Sequence, residues 1–261
     1  RRRWTVEGGM RSLSLFPAKT SNSIPFSLLV YIFCTFLQLA ASHRTLPSST
    51  HTRRRMAASS RFDPIIPLTG DDFEHVYEPA EDSFLFMDAL GKDLTALKDL
   101  HPSLVVELGC GSGVISAYLA KQLPGPCYVA LDINPHALHA SQRTFEANQV
   151  SVELVQTDLM KGLTRLKGRV DVMLFNPPYV PTPKEEMTSS LISMSWAGGE
   201  KGREVTDRLL EHVDEYLSDR GRLYMVALDS NDPSGISKWM HTKGLKTRVV
   251  MKRQAGIERL M

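Results

Sequence analysis

Asn176-Pro177-Pro178-Tyr179 is the stretch best equipped for chemistry. Two successive prolines fix φ and lack an N–H, so the carbonyls of Asn176 and Pro177 stay out of a local helix and can point into a crevice. Asn176 adds a side-chain acceptor, and Tyr179 adds a flat ring. The set suits a planar NH₂ group, with two acceptors for its two hydrogens and a face against which its plane can lie. A nitrogen held in this way aims its lone pair out of plane, at whatever electrophile lies opposite. Taken alone, the tetrapeptide also fits a proline-rich turn that closes a strand.

The elements around it decide between those readings. Residues 170–175, Val-Asp-Val-Met-Leu-Phe, are mostly β-branched or large and apolar and predict a buried parallel strand. The tetrapeptide then lies at the carboxyl end of a strand, where open α/β sheets bind ligands. Three upstream units lead to the same edge. Residues 104–106 read as a strand entering Glu107-Leu108-Gly109-Cys110-Gly111-Ser112-Gly113, with a helix over 114–123. Alternate glycines let the backbone turn sharply and approach a ligand, although packing alone could also require them. Glu107 would repel a pyrophosphate and attract a cation such as an amino group or a sulfonium.

A second strand over 128–131 ends in Asp132, and Asn134-Pro135 opens a helix to about 148. An acid at that position suits both hydroxyls of a ribose, and also suits a helix cap. A third strand over 152–155 leads to Thr157-Asp158-Leu159. Asp158 could accept from an adenine amino group while Leu159 covers the ring; a surface turn is the ordinary alternative. Glu107 to Asp132 is 25 residues and Asp132 to Asp158 is 26. Each interval fits one strand, one helix and two short loops, so the polar tips line up along one edge.

The remaining chain reads more plainly. Val76 to Ser83 starts a helix, with Pro79 in its first turn and acids at its positive end; the Ser83 hydroxyl and backbone could receive a ligand carboxylate there. Residues 180–204 form a long loop, read as a wall of the substrate cleft. Val205, Leu209, Val213 and Leu217 mark one amphipathic helix. Strands are predicted over 223–228 and 246–251 and at 257–261, with a helix over 233–243.

The net charge of +2 conceals an asymmetry. Residues 1–55 hold nine basic side chains (Arg1, Arg2, Arg3, Arg11, Lys19, Arg44, Arg53, Arg54 and Arg55) against Glu7, which leaves the remainder at −6. That balance argues against a broad phosphate-binding face, and so against nucleic acid as partner. Cys34, Cys110 and Cys127 form no C-x-x-C, a reduced and metal-free pattern. Residues 26–41 are apolar behind Lys19 and end in small residues, like the core of a signal peptide, but are short for a membrane span. We read residues 1–55 as a basic leader, disordered or targeting, Met56 as the working start, and 56–261 as the folded domain. Organelle targeting or secretory entry stays open for the leader.

The glycine turn, Asp132-Ile133-Asn134-Pro135, Asp158-Leu159 and Asn176-Pro177-Pro178-Tyr179, in that order, resemble the class I S-adenosylmethionine-dependent methyltransferases, in particular the HemK group. Val76-Tyr77-Glu78-Pro79-Ala80-Glu81-Asp82-Ser83 and Trp196-Ala197-Gly198-Gly199 with Gly202-Arg203 resemble its eukaryotic and archaeal branch, which methylates a release-factor glutamine. The resemblance covers about residues 62–261. It implies a Rossmann-like α/β fold with a mostly parallel seven-stranded sheet and helices on both faces. It implies S-adenosylmethionine as cofactor, with Glu107 and Gly109 at the methionine moiety, Gly111 in the same turn and Ser83 near its end. Asp132 would bind the ribose, and Asp158 and Leu159 the adenine. Asn176, beside the cofactor, would hold the substrate amide with Pro177, and Pro178 and Tyr179 would complete the acceptor site.

The resemblance further implies a heterodimer with a small zinc-binding activator on an apolar sheet edge, a class I peptide chain release factor as substrate, and work in the cytoplasm, with the nucleus also open. Its branch extends to lysine, DNA adenine and trivalent arsenic acceptors. Two rivals lie outside methyl transfer. A NAD-dependent oxidoreductase is disfavoured by Glu107 and by a third glycine one residue too early for G-x-G-x-x-G. A non-catalytic binding subunit is disfavoured by the intact tetrapeptide and acids.

Overall fold

The computed structural model describes residues 62–261 apart from 188, 256 and 257. The leader and the Met56 start lie outside the described residues.

Alternation within buried strands builds the centre. In β1 (Leu104–Leu108) and β4 (Val170–Phe175) successive side chains face opposite sides of the sheet, and both sides are apolar. Val105, Val172 and Leu174 enter one core, while Val106, Met173 and Phe175 enter the other. Beside them lie β2 (Cys127–Asp132), β3 (Glu153–Gln156) and β5 (Leu217–Met225), giving a five-stranded sheet of order β3-β2-β1-β4-β5. Every pair in it is parallel.

The helices are α1 (Gly70–Phe73), α2 (Glu81–Lys92), α3 (Leu94–Leu100), α4 (Val114–Gln122), α5 (Pro135–Asn148), α6 (Glu204–Leu210), α7 (Val213–Tyr216) and α8 (Pro233–Thr242). Those of α2, α3 and α4 pack on one face of the sheet, and α6, α7 and α8 on the other. Among the described residues no helix is long and apolar enough to cross a membrane.

Several expectations need correction. The parallel sheet has five strands rather than seven. Residues 246–251 form no strand, because side chains fix them across α2 and α3: Arg248 pairs with Asp93, and Lys92 Nζ donates to the Val250 carbonyl at 2.8 Å. The last strands, β6 (Arg253–Ala255) and β7 (Glu258–Leu260), make an antiparallel hairpin that touches the end of the main sheet through the bridge Leu228↔Leu260. The amphipathic helix over 205–217 is two helices, broken where His212 N–H bonds back only three residues, to Leu209. Leu217 already belongs to β5, whose register shifts between Val170 and Val172. Gly221 allows that shift, since a Cβ there would lie 2.6 Å from the Val170 carbonyl oxygen. Finally, Pro79 precedes the Ala80 N-cap of α2 instead of sitting inside its first turn.

Candidate active site

The strand order arranges the polar tips in sequence along one edge: Asn176 after β4, the glycine turn after β1, Asp132 ending β2, and Asp158 just beyond β3. They line one cleft together with Ser83, Glu107 and Leu191, Met194 and Ser195 of the long loop. Gly109 and Gly111 take left-handed backbone, with φ of +64° and +53°, and a Cβ on either would meet no atom within 4 Å. Space for a ligand therefore lies beside both, although the Gly111 N–H and carbonyl are already taken by Asp132 and the Ser141 hydroxyl. Gly113 differs: its Cβ would come within 2.9 Å of Ser141 Cα on α5, so it is a packing glycine.

Asn176 is the centre of a network that the sequence did not announce. Its Nδ2 donates to Asp82 Oδ2 at 2.9 Å, and the Tyr179 hydroxyl donates to the same oxygen at 3.0 Å. A carboxylate oxygen accepts, so the amide nitrogen must face Asp82 and Asn176 Oδ1 must face away. That Oδ1 is buried and has no partner; Thr144 Oγ1 is the only other such side-chain atom among the described residues. A buried acceptor left unpaired carries a free-energy penalty unless a ligand supplies the donor. Asp82 is itself only 3% exposed, and its Oδ1 takes the Ser83 N–H at 2.7 Å. In the sequence Asp82 looks like one more acid at a helix start; packing of α2 against the end of β4 gives it another role.

Other expected site residues are placed as follows. Pro178 lines the cleft beside Asn176, whereas Pro177 and Tyr179 do not. Tyr179 packs its ring against the core, so it acts through Asp82 rather than as an open platform. No hydrogen bond among the described residues ends on the Asn176 or Pro177 carbonyl. Ser83 lines the cleft, but its backbone N–H is already used by Asp82. The Tyr179 carbonyl is held by Asn231, a buried residue after β5 whose Nδ2 donates to it at 2.9 Å and to the Lys201 carbonyl at 3.1 Å. Asn231 sits in Asp229-Ser230-Asn231-Asp232-Pro233, which reads as a mere turn.

Asp132 accepts from the Gly111 N–H at 3.0 Å on one oxygen and from the Asn134 N–H at 2.8 Å on the other. Asp132 lines the cleft, and each oxygen has the capacity for a further donor, as a vicinal diol requires. Burial raises its pKa against the lowering pull of those N–H groups. Glu107 differs from expectation. It is 3% exposed, and burial pushes its pKa to about 8 against the bond from the Ser116 N–H at 3.1 Å. It has no ion pair among the described residues. The carboxyl is thus mainly neutral at pH 7 until a cation arrives, rather than a standing anion. Asp158 is engaged as well: Arg208 Nη2 lies 2.5 Å from its Oδ2.

A cleft with open glycine backbone, a carboxylate for a diol, a buried carboxyl lacking its cation and an orphan amide acceptor matches a nucleoside carrying an amino acid. The methyltransferase small domain family matches residues 85–255. The chain belongs to that family. It is 46% identical over 208 residues to methyltransferase HEMK2 of Mus musculus, a match covering 78% of this chain and 96% of the mouse protein. It is 38% identical to the eRF1 methyltransferase catalytic subunit mtq2 of Schizosaccharomyces pombe, over 72% of this chain and 88% of that one. Among solved structures it is similar to the E. cuniculi Mtq2–Trm112 complex, described as responsible for methylation of the eRF1 translation termination factor, with 30% identity and a TM-score of 0.54 over 71% of this chain and 94% of that chain. This methyltransferase therefore has the Rossmann-like α/β fold expected of it.

Proposed function

We propose that this methyltransferase moves a methyl group from S-adenosylmethionine to the side-chain amide nitrogen of the glutamine in a Gly-Gly-Gln motif of a class I translation termination factor. The observation that carries the reading is Asn176 Oδ1, buried and unpartnered while Asp82 holds the nitrogen of the same amide. The named activity of the S. pombe and E. cuniculi relatives supports the same acceptor.

The donor set fits the cofactor. Asp132 would hold the ribose hydroxyls, Glu107 the amino group, and the Gly109–Gly111 backbone the chain between them. When bound, S-adenosylmethionine supplies an electrophilic methyl on a sulfonium. Asn176 Oδ1 accepts one hydrogen of the substrate amide, beside Pro178 in the wall of the cleft. This fixes the amide plane and leaves its nitrogen one direction of approach, which is orientation catalysis. As the nitrogen gains positive charge its hydrogens are held more tightly, so this acceptor favours the transition state over the ground state. The C–S bond would break to leave a neutral thioether, and the nitrogen would then shed one hydrogen as a proton to water. Asp82 touches none of the reacting atoms. It is a positioning residue that keeps Asn176 turned the productive way.

Strand β3 is an edge, paired only with β2 among the described residues. We infer that a small zinc-binding activator subunit covers it, as the similarity to a two-protein complex suggests. The cytoplasm, where termination factors act, is the corresponding location. The test is transfer of labelled methyl to a termination factor by the chain with its partner. Incorporation at the glutamine supports the proposal, and labelling that survives replacement of that glutamine by leucine refutes it.

A further inference from the structure

We propose that Arg208 is a positioning residue for purine recognition: by holding one oxygen of Asp158, it fixes the other as the acceptor for a 6-amino group. The proposal rests on reading the cleft as a nucleoside site. A ligand whose reacting end is at Asn176 and whose sugar is at Asp132 must place its base at the next strand end outward, residues 157–159 after β3.

Arg208 reaches that end from α6, fifty positions further along the chain, and its Nη2 lies 2.5 Å from Asp158 Oδ2. Both side chains line the cleft, and both also line an adjoining cavity of about 540 Å³ that shares Leu159 with it. The pair is therefore part of the partition between two open spaces. The Asp158 side chain is 37% exposed, so without a partner it would sample several rotamers. The guanidinium removes that freedom at Oδ2 and leaves Oδ1 for a ligand.

The backbone supports a built site. Leu159 adopts left-handed backbone at φ +51°, which a non-glycine residue keeps only where its surroundings hold it. Here the Lys161 N–H bonds to the Asp158 carbonyl at 3.1 Å, and the Thr157 hydroxyl bonds to the Lys161 carbonyl at 2.9 Å. With the turn and the carboxylate both fixed, the remaining oxygen selects a donor. Adenine offers its amino group, whereas hypoxanthine offers an oxygen that the carboxylate opposes.

The experiment is calorimetric titration of the full chain with S-adenosylhomocysteine and with S-inosylhomocysteine. The unmutated chain should prefer the adenine compound by about tenfold, the scale of one hydrogen bond to a charged acceptor. Arg208→Ala should weaken S-adenosylhomocysteine by about fivefold, as expected for a partly exposed pair, and leave S-inosylhomocysteine nearly unchanged. Arg208→Lys should restore part of the preference, and adding Asp158→Ala to Arg208→Ala should remove the preference that Arg208→Ala leaves. Equal weakening of both compounds in Arg208→Ala, or equal affinities in the unmutated chain, would overturn the proposal. Binding of neither compound by the unmutated chain would overturn the reading of the cleft itself, and the role of Arg208 with it.

Discussion

Replacing Asp82 by asparagine removes one acceptor oxygen and changes almost no volume. In the native site Oδ2 takes two donors, from Asn176 and Tyr179, and Oδ1 takes the Ser83 N–H, with the Tyr77 and Ser83 hydroxyls more distant at 3.4 Å. An asparagine amide cannot serve both sides. If its oxygen faces Asn176, its NH₂ meets the Ser83 N–H; if its NH₂ faces Asn176, two donors oppose each other and the Asn176 amide turns over. Either state strands a donor, at about 1–3 kcal/mol. Taking about 2 kcal/mol as the lost preference for the productive Asn176 orientation, turnover should fall about 30-fold. The assay is steady-state methyl transfer at saturating cofactor, with S-adenosylhomocysteine affinity measured in parallel and thermal unfolding as a check on folding. The expected result is a kcat defect with cofactor affinity within about twofold. A kcat within about threefold of native, or a matching loss of cofactor affinity, would refute the idea that Asp82 acts by orienting Asn176.

Four further outcomes follow from the same geometry. Asn176→Ala should lower turnover by about 10²-fold, on the scale of losing one transition-state acceptor, while calorimetry still shows cofactor binding. Asp132→Ala should instead weaken S-adenosylhomocysteine, measured by calorimetric titration, and should also lower the unfolding temperature because the Gly111 and Asn134 N–H groups lose their acceptor. Glu107 has a folded-state pKa of about 8 against 4.5 unfolded, so the free protein binds the extra proton between those values and loses stability as pH rises through that window. Glu107→Gln should flatten this decline, which spans up to roughly 5 kcal/mol and is measurable by denaturant unfolding at pH 5 and pH 8.5. Cofactor binding at pH 7 should release a proton from native Glu107, seen as a buffer-dependent binding enthalpy and absent in the variant. Gly202→Ala, at φ +63° with a Cβ 2.1 Å from the Tyr179 carbonyl oxygen, should destabilise the fold and depress turnover together.

The strand ends were legible because buried parallel strands leave a strong apolar signal. The acid or amide after each such run has few places to go but the ligand edge, as with Asp132 and Asn176. Contacts between distant elements were not legible. Asp82 looks like helix-start chemistry, Asn231 like turn chemistry and Arg208 like a solvent-facing helix position, since only folding brings each to its partner. Glu107 stands at the expected place, but the upward shift of its pKa depends on how deeply the helix that carries Ser116 covers it, which the strand's own sequence does not show. The chain after α8 carries a strand-like pattern, yet Arg248 and Lys92 anchor it through side chains rather than through a ladder.

The central claim is that the orphan oxygen of Asn176 receives an amide hydrogen of the acceptor. It is tested most directly by presenting a termination factor whose motif glutamine is replaced by glutamate, an isostere without the NH₂, beside the native factor. Labelled methyl should enter the native factor and not the glutamate factor, and Asn176→Ala should cut transfer about 10²-fold while cofactor still binds. Undiminished transfer by Asn176→Ala, or equal labelling of the glutamate factor, would contradict the account.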